Sequence, residues 1–240
     1  DWLQDAPEAG YFLWVHLMDP HLPYEHAPEG LFLAHVEDAH GGIRAGRFTP
    51  SQAEKVALFQ AYREEVRHAD EQILRVLDAL EARGDLDRAL VVLSSDHGEE
   101  FWDHGGFEHG HSHHGEVVDV ALALSAPGLQ PRQGDGVAWL GDVASTSLAF
   151  AGLETDGVDL REPLPAERLA LAEGTLYFGE LRSARRLETR WILDVDQDVL
   201  YVEGPSQDPA VGDLLRAQEG GGGQPASVNE EALRALGYLQ

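Results

Sequence analysis

One junction constrains this chain more than any other: a long amphipathic helix signal feeds a short apolar run that ends at once in a polar loop. Between Ser51 and Arg83, the apolar residues Leu58, Tyr62, Val66, Ile73, Leu77 and Leu80 recur near helical spacing. Thr49-Pro50 supplies a cap and a first-turn proline, and Gly84 ends the segment. Ala89 to Leu93 (ALVVL) then reads as a buried strand, followed directly by Ser94-Ser95-Asp96-His97-Gly98. A helix feeding a buried strand is the α/β pattern. In open α/β sheets, ligands bind just beyond the carboxyl ends of strands, and Asp96 and His97 hold that position.

Other segments extend the pattern. Tyr11 to Leu17 (YFLWVHL), bounded by Gly10 and Asp19-Pro20, predicts a second buried strand. His21 to Pro50 is rich in Pro and Gly and predicts a long loop. Val117 to Ser125 is a further apolar run, and Leu140 to Gly152 predicts a helix with Asp142 near its start. The texture changes near residue 155, where a boundary is expected between an α/β part (1–155) and a smaller α+β subdomain (156–240). Short strands are expected at Thr175–Phe178, Arg190–Leu193 and Val199–Val202. A glycine linker at Gly220–Gly223 and a helix at Asn229–Leu236 complete the chain.

Composition narrows the function. The 240 residues carry 43 Asp+Glu against 17 Lys+Arg, a net charge of −26. Nucleic acid is disfavoured, because phosphate binding needs basic patches, and anionic membrane surfaces are disfavoured for the same reason. No run of 18 apolar residues and no targeting signal is present. The absence of cysteine removes disulfides, zinc-thiolate sites and thiol nucleophiles together. Lys55 is the only lysine.

Chemistry-bearing residues concentrate in two places. Ser95 to His114 (SDHGEEFWDHGGFEHGHSHH) holds six His and five carboxylates. Carboxylate oxygens suit a hard divalent cation, and imidazole can complete a transition-metal shell. Asp96 and His97, adjacent on a loop after a strand, can both turn toward one ion. His-rich tracts also occur as solvated loops that bind metal adventitiously, and the spacing matches neither HExxH nor an EF-hand loop. The second place is Val15 to Tyr24 (VHLMDPHLPY), where His16 and His21 flank Asp19. A histidine there can bind an oxyanion when protonated or act as general acid to a leaving group. A strand-end His bonded only to backbone is the plainer alternative.

In this order, the two segments resemble the sulfatase family of the alkaline phosphatase superfamily, with its VHxxxPHxPY-like and SDHGEExxxHGxxxHGHS-like motifs. The helix from Ala61 to Leu80, the Ala126-Pro-Gly-Leu129 turn, the Asp142–Leu153 segment and the Ala232–Leu239 ending resemble the family too. The resemblance implies an alkaline-phosphatase-like sandwich: a central, mostly parallel sheet flanked by helices, with a small C-terminal subdomain. It implies hydrolysis of sulfate esters, small molecules or sulfated glycans, assisted by a divalent metal. Calcium is the family's usual ion, and manganese or zinc is compatible with His97. Asp96 and His97 then stand where the family has metal ligands. His21 stands where a His contacts the ester and its leaving oxygen, with His16 nearby. His109 or His111 takes the place of the sulfate-binding Lys that the family often has after the DHG segment.

The resemblance also marks what the sequence does not contain. The family's C/S-x-P-x-R nucleophile motif, whose Cys or Ser becomes formylglycine, and an earlier Asp pair are both absent. Ser125-Ala-Pro-Gly-Leu129 puts Leu where Arg is needed. The chain is therefore expected to be the C-terminal portion of such an enzyme, inactive alone, with formylglycine in the missing part; family habit points to periplasm or export. Phosphoester or phosphonate hydrolysis or transfer is the alternative within the superfamily, with Asp19 and His21 as further ligands. A non-catalytic binding protein is the alternative from another class.

Overall fold

A computed structural model describes residues 2–7, 10–26, 43, 49–131, 136–177 and 179–218. The expected Gly220–Gly223 linker, the Asn229–Leu236 helix and most of the loop before Pro50 lie outside them. A single helical turn, α1 (Trp2–Asp5), opens the chain. The segment 11–18 has no regular secondary structure, with Phe12 and Trp14 81% and 77% exposed. This corrects the expected buried strand. An apolar run becomes a buried strand only where a neighbour pairs with its backbone, and no described strand pairs with this one.

The helix α2 (Gln52–Ala82) is close to its sequence-predicted limits, but its cap differs. The N-cap is Ser51, inside a capping box: its hydroxyl accepts from Glu54 N–H at 3.3 Å, and the Glu54 carboxylate accepts from Ser51 N–H at 2.6 Å. Pro50 precedes that cap rather than opening the first turn. Leu58, Ala61, Glu65 and Ala69 are buried at spacings of three and four, forming one stripe, whereas Val66 and Leu74 are exposed. Gly84 takes φ +71°, the left-handed turn that closes a helix C-terminus. Asp85 behind it is buried and accepts from Arg83, Arg88 and the Tyr11 hydroxyl. The hydrogen bonds from Arg83, Tyr11 and Arg88 hold its carboxyl well below the usual carboxylate range.

A 3₁₀ turn (Leu86–Arg88) leads into β1 (Val91–Ser94). A two-residue hairpin follows, β2 (Glu100–Phe101) with β3 (Phe107–Glu108), and then one turn of helix, α3 (Gly115–Val118). α3 splits the run read as continuous from Val117, and only β4 (Leu122–Ser125) is strand. β4 returns antiparallel to β1, with Val91 opposite Ser125 and Ser94 opposite Leu122. α4 (Gly141–Phe150) lies within the predicted helix. The buried Asp142 carboxylate at its start is held bidentately by Arg168 at 2.8 and 2.7 Å.

The C-terminal elements form a four-stranded antiparallel meander, β5 (Ala170–Glu173), β6 (Leu181–Arg186), β7 (Thr189–Asp194) and β8 (Val199–Glu203). α5 (Pro209–Ala217) covers it, capped by Asp208, whose carboxylate accepts from Ala210 N–H at 3.1 Å. Val211 and Leu215 pack on Ala184, Trp191 and Leu193. The expected strand at Thr175–Phe178 is not there: Leu176 and Tyr177 form a bend, and Phe178 is outside the described residues. Every described strand pair is antiparallel. Of the α/β sheet that the resemblance implies, the described residues hold only β1 and β4, and no parallel pair occurs among them.

A second core, made of Tyr24, Leu58, Ala61 and Phe107 with Leu22, Tyr62, Phe101 and Trp102 around it, matters most for function. It clamps the His21 loop, α2 and the β2–β3 hairpin together. Leu215 is fully buried between α5 and the four-stranded sheet, so Leu215→Ala is expected to destabilise the chain by about 2–5 kcal/mol, seen as a lower urea midpoint with an unchanged m-value.

Candidate functional site

β1 ends at Ser94, and the chain turns out into solvent at Asp96, whose side chain is 76% exposed. The Asp96 Oδ1 accepts from the His97 N–H at 3.0 Å. The His97 Nδ1–H donates to the Gly98 carbonyl at 2.8 Å, which assigns the lone pair to Nε2. That Nε2 lies 3.7 Å from Asp96 Oδ2. A carboxylate oxygen and an imidazole nitrogen therefore sit side by side at a separation one cation could span. The pair suits a divalent ion, although two donors are fewer than the six to eight oxygens that calcium takes.

The histidine-rich loop is folded back by a buried carboxylate. Glu100 is 1% exposed. Its Oε1 accepts from the His104 N–H at 3.0 Å and the Gly106 N–H at 2.5 Å, and its Oε2 pairs with His111 Nε2 at 2.8 Å. Gly106 has to be glycine here, because a Cβ would collide with the His111 ring and the Glu100 carboxylate. Trp102 and Glu108 take left-handed backbone, φ 66° and 71°, at either end of the hairpin. Stacking of Trp102 on Phe107 at 4.7 Å helps hold the turn.

The fold places His109 against His97, with ring centroids 3.9 Å apart, and His21 meets His109 edge-on at 5.8 Å. The largely buried Glu99 carboxylate accepts from His109 Nδ1 at 2.8 Å, fixing its tautomer and orientation. Glu99, together with burial, also raises the Tyr24 and Tyr62 hydroxyls above the usual tyrosine value, burial being the larger cause. Asp96, His97, His109 and His21 therefore form one chain of neighbours. His111 is not among them, being committed to Glu100. His16 is exposed and stacks on Trp14 at 5.9 Å. Asp19 approaches His26, at 3.8 Å.

Asp96, His97 and His109 line one wall of an open cleft of about 1570 Å3. Arg185 and Arg190, from β6 and β7, line it with Asp119, which bridges both guanidiniums at 2.5 Å. Sequence patterns missed these two arginines, Glu99 and Glu100. The Glu pair stood inside the quoted SDHGEE motif, but nothing in the pattern separates a buried carboxylate from a solvated one. Two further groups come together, of which only Asp19 was among the expected candidates: Asp19, His26 and His68, and His104, His114 and Glu203. In the first, His26 Nδ1 is bonded at 2.6 Å to Glu65, which is buried on α2.

The family model described as Sulfatase matches residues 1–153. The chain belongs to the sulfatase family. Among solved structures, this sulfatase chain is similar to a protein crystallised with its substrate D-glucosamine-2-N,6-O-disulfate, at 21% identity and TM-score 0.56, covering 74% of this chain and 39% of that one. It is similar to the phosphonate monoester hydrolase of Silicibacter pomeroyi, at 20% identity and TM-score 0.56, with 79% and 43% covered. It is similar also to a 2-O GAG sulfatase, at 14% identity and TM-score 0.59, with 98% and 56% covered. These likenesses show the fold, which is α/β and alkaline-phosphatase-like, and the chain spans between about two fifths and somewhat over half of those proteins. Comparison with curated protein sequences finds no match. No helix among the described residues of the sulfatase chain is long and apolar enough to cross a membrane.

The loop is also braced from the C-terminal sheet. His113 is buried, donating from Nε2 to the Gly174 carbonyl at 2.6 Å while Nδ1 meets the Ser183 hydroxyl at 3.0 Å. Burial chiefly, with Arg190 and His114 adding to it, pushes this imidazole below its ordinary value, against the Gly174 hydrogen bond. The unfolded chain therefore binds the extra proton below about pH 6.5, and stability is lost as pH falls from there toward the lowered folded value. His104 works in the opposite direction. Its hydrogen bond to Glu116 raises it, so its stabilisation fades as pH rises from about 6.5 through the raised value. His113→Gln is expected to flatten the loss of stability between about pH 7 and pH 5 while lowering stability at pH 8. Urea unfolding across that range measures both.

Proposed function

We propose that this chain carries part of the catalytic site of a sulfuric ester hydrolase, assisted by a divalent metal. The observation that carries the reading is the convergence of Asp96, His97, His109 and His21 at the carboxyl end of β1. Asp96 and His97 are the proposed metal ligands. The ion is calcium by family habit, with manganese or zinc also suited to imidazole, and when bound it would supply positive charge beside the ester oxygens. His109, its Nδ1–H held by Glu99, is assigned to donate to a sulfate oxygen from Nε2 when doubly protonated, and His21 to hold or deliver a proton at the leaving oxygen. His111 is assigned a structural role through Glu100, and His16 none.

Two further parts belong to the same proposal. The C/S-x-P-x-R nucleophile motif is not among these 240 residues, so the formylglycine is assigned to residues outside them. The boundary between catalytic part and C-terminal subdomain is placed near residue 155. The end of the family match at residue 153 and the separate core of β5–β8 with α5 support it. The substrate class is a sulfated sugar. The glucosamine disulfate bound by one structural neighbour supports this.

The test is made on the polypeptide the gene encodes. Asp96→Ala is expected to lose one equivalent of divalent metal by elemental analysis, the ion assigned to Asp96 and His97. His109→Ala is expected to keep the metal and lower kcat on an aryl or sugar sulfate by about 100-fold or more. Faster turnover of a phosphonate monoester than of any sulfate ester would contradict the reading, as would normal metal content in Asp96→Ala.

A further inference from the structure

A second cluster of ligand-type side chains lies outside that site, where the histidine loop meets the C-terminal sheet. His104 follows the β2 strand, His114 is the N-cap of α3, and Glu203 is the last residue of β8. The two imidazoles stack face to face, with centroids 3.6 Å apart and planes within 3°. Glu203 Oε1 reaches both, at 2.6 Å from His114 Nδ1 and 3.6 Å from His104 Nε2. One nitrogen from each ring and one carboxylate oxygen thus lie within 4.8 Å of one another.

The surroundings of the cluster are those of a ligand set. Glu116 accepts from the Nδ1 of His104 at 2.5 Å. This assigns Nδ1 as the donor and leaves the lone pair on Nε2, the nitrogen facing Glu203. A carboxylate behind a histidine is the arrangement that orients imidazole ligands of zinc and raises their basicity. Arg190 Nε lies 3.9 Å from the other carboxylate oxygen, Glu203 Oε2. Four-coordinate zinc with bonds of about 2.0–2.2 Å separates its ligand atoms by roughly 3.3 Å. The 3.6 Å contact is near that value, and the 2.6 Å hydrogen bond opens to it when a cation replaces the shared proton; because the stacked rings hold their lone pairs in parallel planes, binding also requires the two rings to turn toward a common point. Two nitrogens and one oxygen suit zinc or a neighbouring transition metal, not calcium, which takes oxygen.

We propose that His104, His114 and Glu203, backed by Glu116, form a structural site for a transition-metal dication, zinc by preference, that ties the histidine loop to the C-terminal sheet. The site is separate from Asp96 and His97 and does not depend on the reaction assigned to them. Its fourth position is open to water. By fastening the segment between His104 and His114, it would hold His109 and His111 in place.

Cobalt serves as a spectroscopic probe, added to the metal-stripped full chain. One equivalent is expected to give the visible absorption of tetrahedral cobalt, and zinc is expected to displace it. His114→Gln and Glu203→Gln, each checked for folding by circular dichroism, are each expected to remove that absorption. Asp96→Ala and His26→Gln should keep it. Glu116→Gln should weaken cobalt binding by about 10–100-fold. Zinc at about 100 times its Kd should raise the wild-type Tm by roughly 5–10 °C and leave Glu203→Gln unmoved. Absence of a tetrahedral cobalt spectrum in the wild type would overturn the proposal, as would its survival in folded His114→Gln or Glu203→Gln.

Discussion

The site depends on one buried carboxylate. An isolated charge out of water is costly by several kcal/mol, and a group such as Glu100 is stable inside only when its oxygens are met by donors. His104 N–H, Gly106 N–H and His111 meet them. Those three partners lie four, six and eleven residues along the chain, so satisfying Glu100 forces the loop to turn back over the β2 strand. The turn leaves no room for a side chain at Gly106. It delivers His109 to His97 on one side and brings His104 to Glu116 and His114 on the other.

The apolar core beneath this turn does the complementary work. Phe107 and Phe101 of the hairpin pack with Leu22 and Tyr24 against Leu58 and Ala61 of α2. The same contacts that bury the hairpin therefore set His21 beside His109, although the two are distant in sequence. From the other flank, Gly110 accepts hydrogen bonds from Leu176 and Tyr177 N–H, and His113 and His114 reach Ser183 and Glu203. The histidine loop is braced by both parts of the chain, which explains how a glycine-rich segment can present defined imidazole geometry.

Much of this was legible in the sequence where local rules decide structure. The long helix announced itself by its apolar spacing, although its cap is Ser51 with Glu54 and not the expected Thr49-Pro50; β1 announced itself by an apolar run closed by Ser-Ser-Asp-His, although it is only half-buried, with Leu93 exposed. Asp96, His97, His109 and His21 could be named as candidates because they sit in two recognisable motifs. Local rules did not separate His109 from His111, since both are histidines flanking one glycine; only the burial of Glu100 commits His111. β6 (LRSARR) has no apolar pattern, and Arg182 is buried there because backbone carbonyls of Leu215 and Gln218 and the Glu180 carboxylate satisfy its guanidinium. α5 was overlooked although Asp208-Pro209 is a helix-start signature. The segment 11–18 was overestimated, because an apolar run carries no information about a pairing neighbour.

Amide hydrogen exchange at His104 and Gly106 tests the central claim most directly. Both N–H groups sit in a turn without a backbone partner, and the Glu100 carboxylate is what protects them. In the wild-type chain they are expected to exchange slowly; in Glu100→Ala they should exchange at the rate of an open turn, while the amides of β6 and β7 stay protected. Unchanged protection at His104 and Gly106 in Glu100→Ala would show that the loop is held by something else.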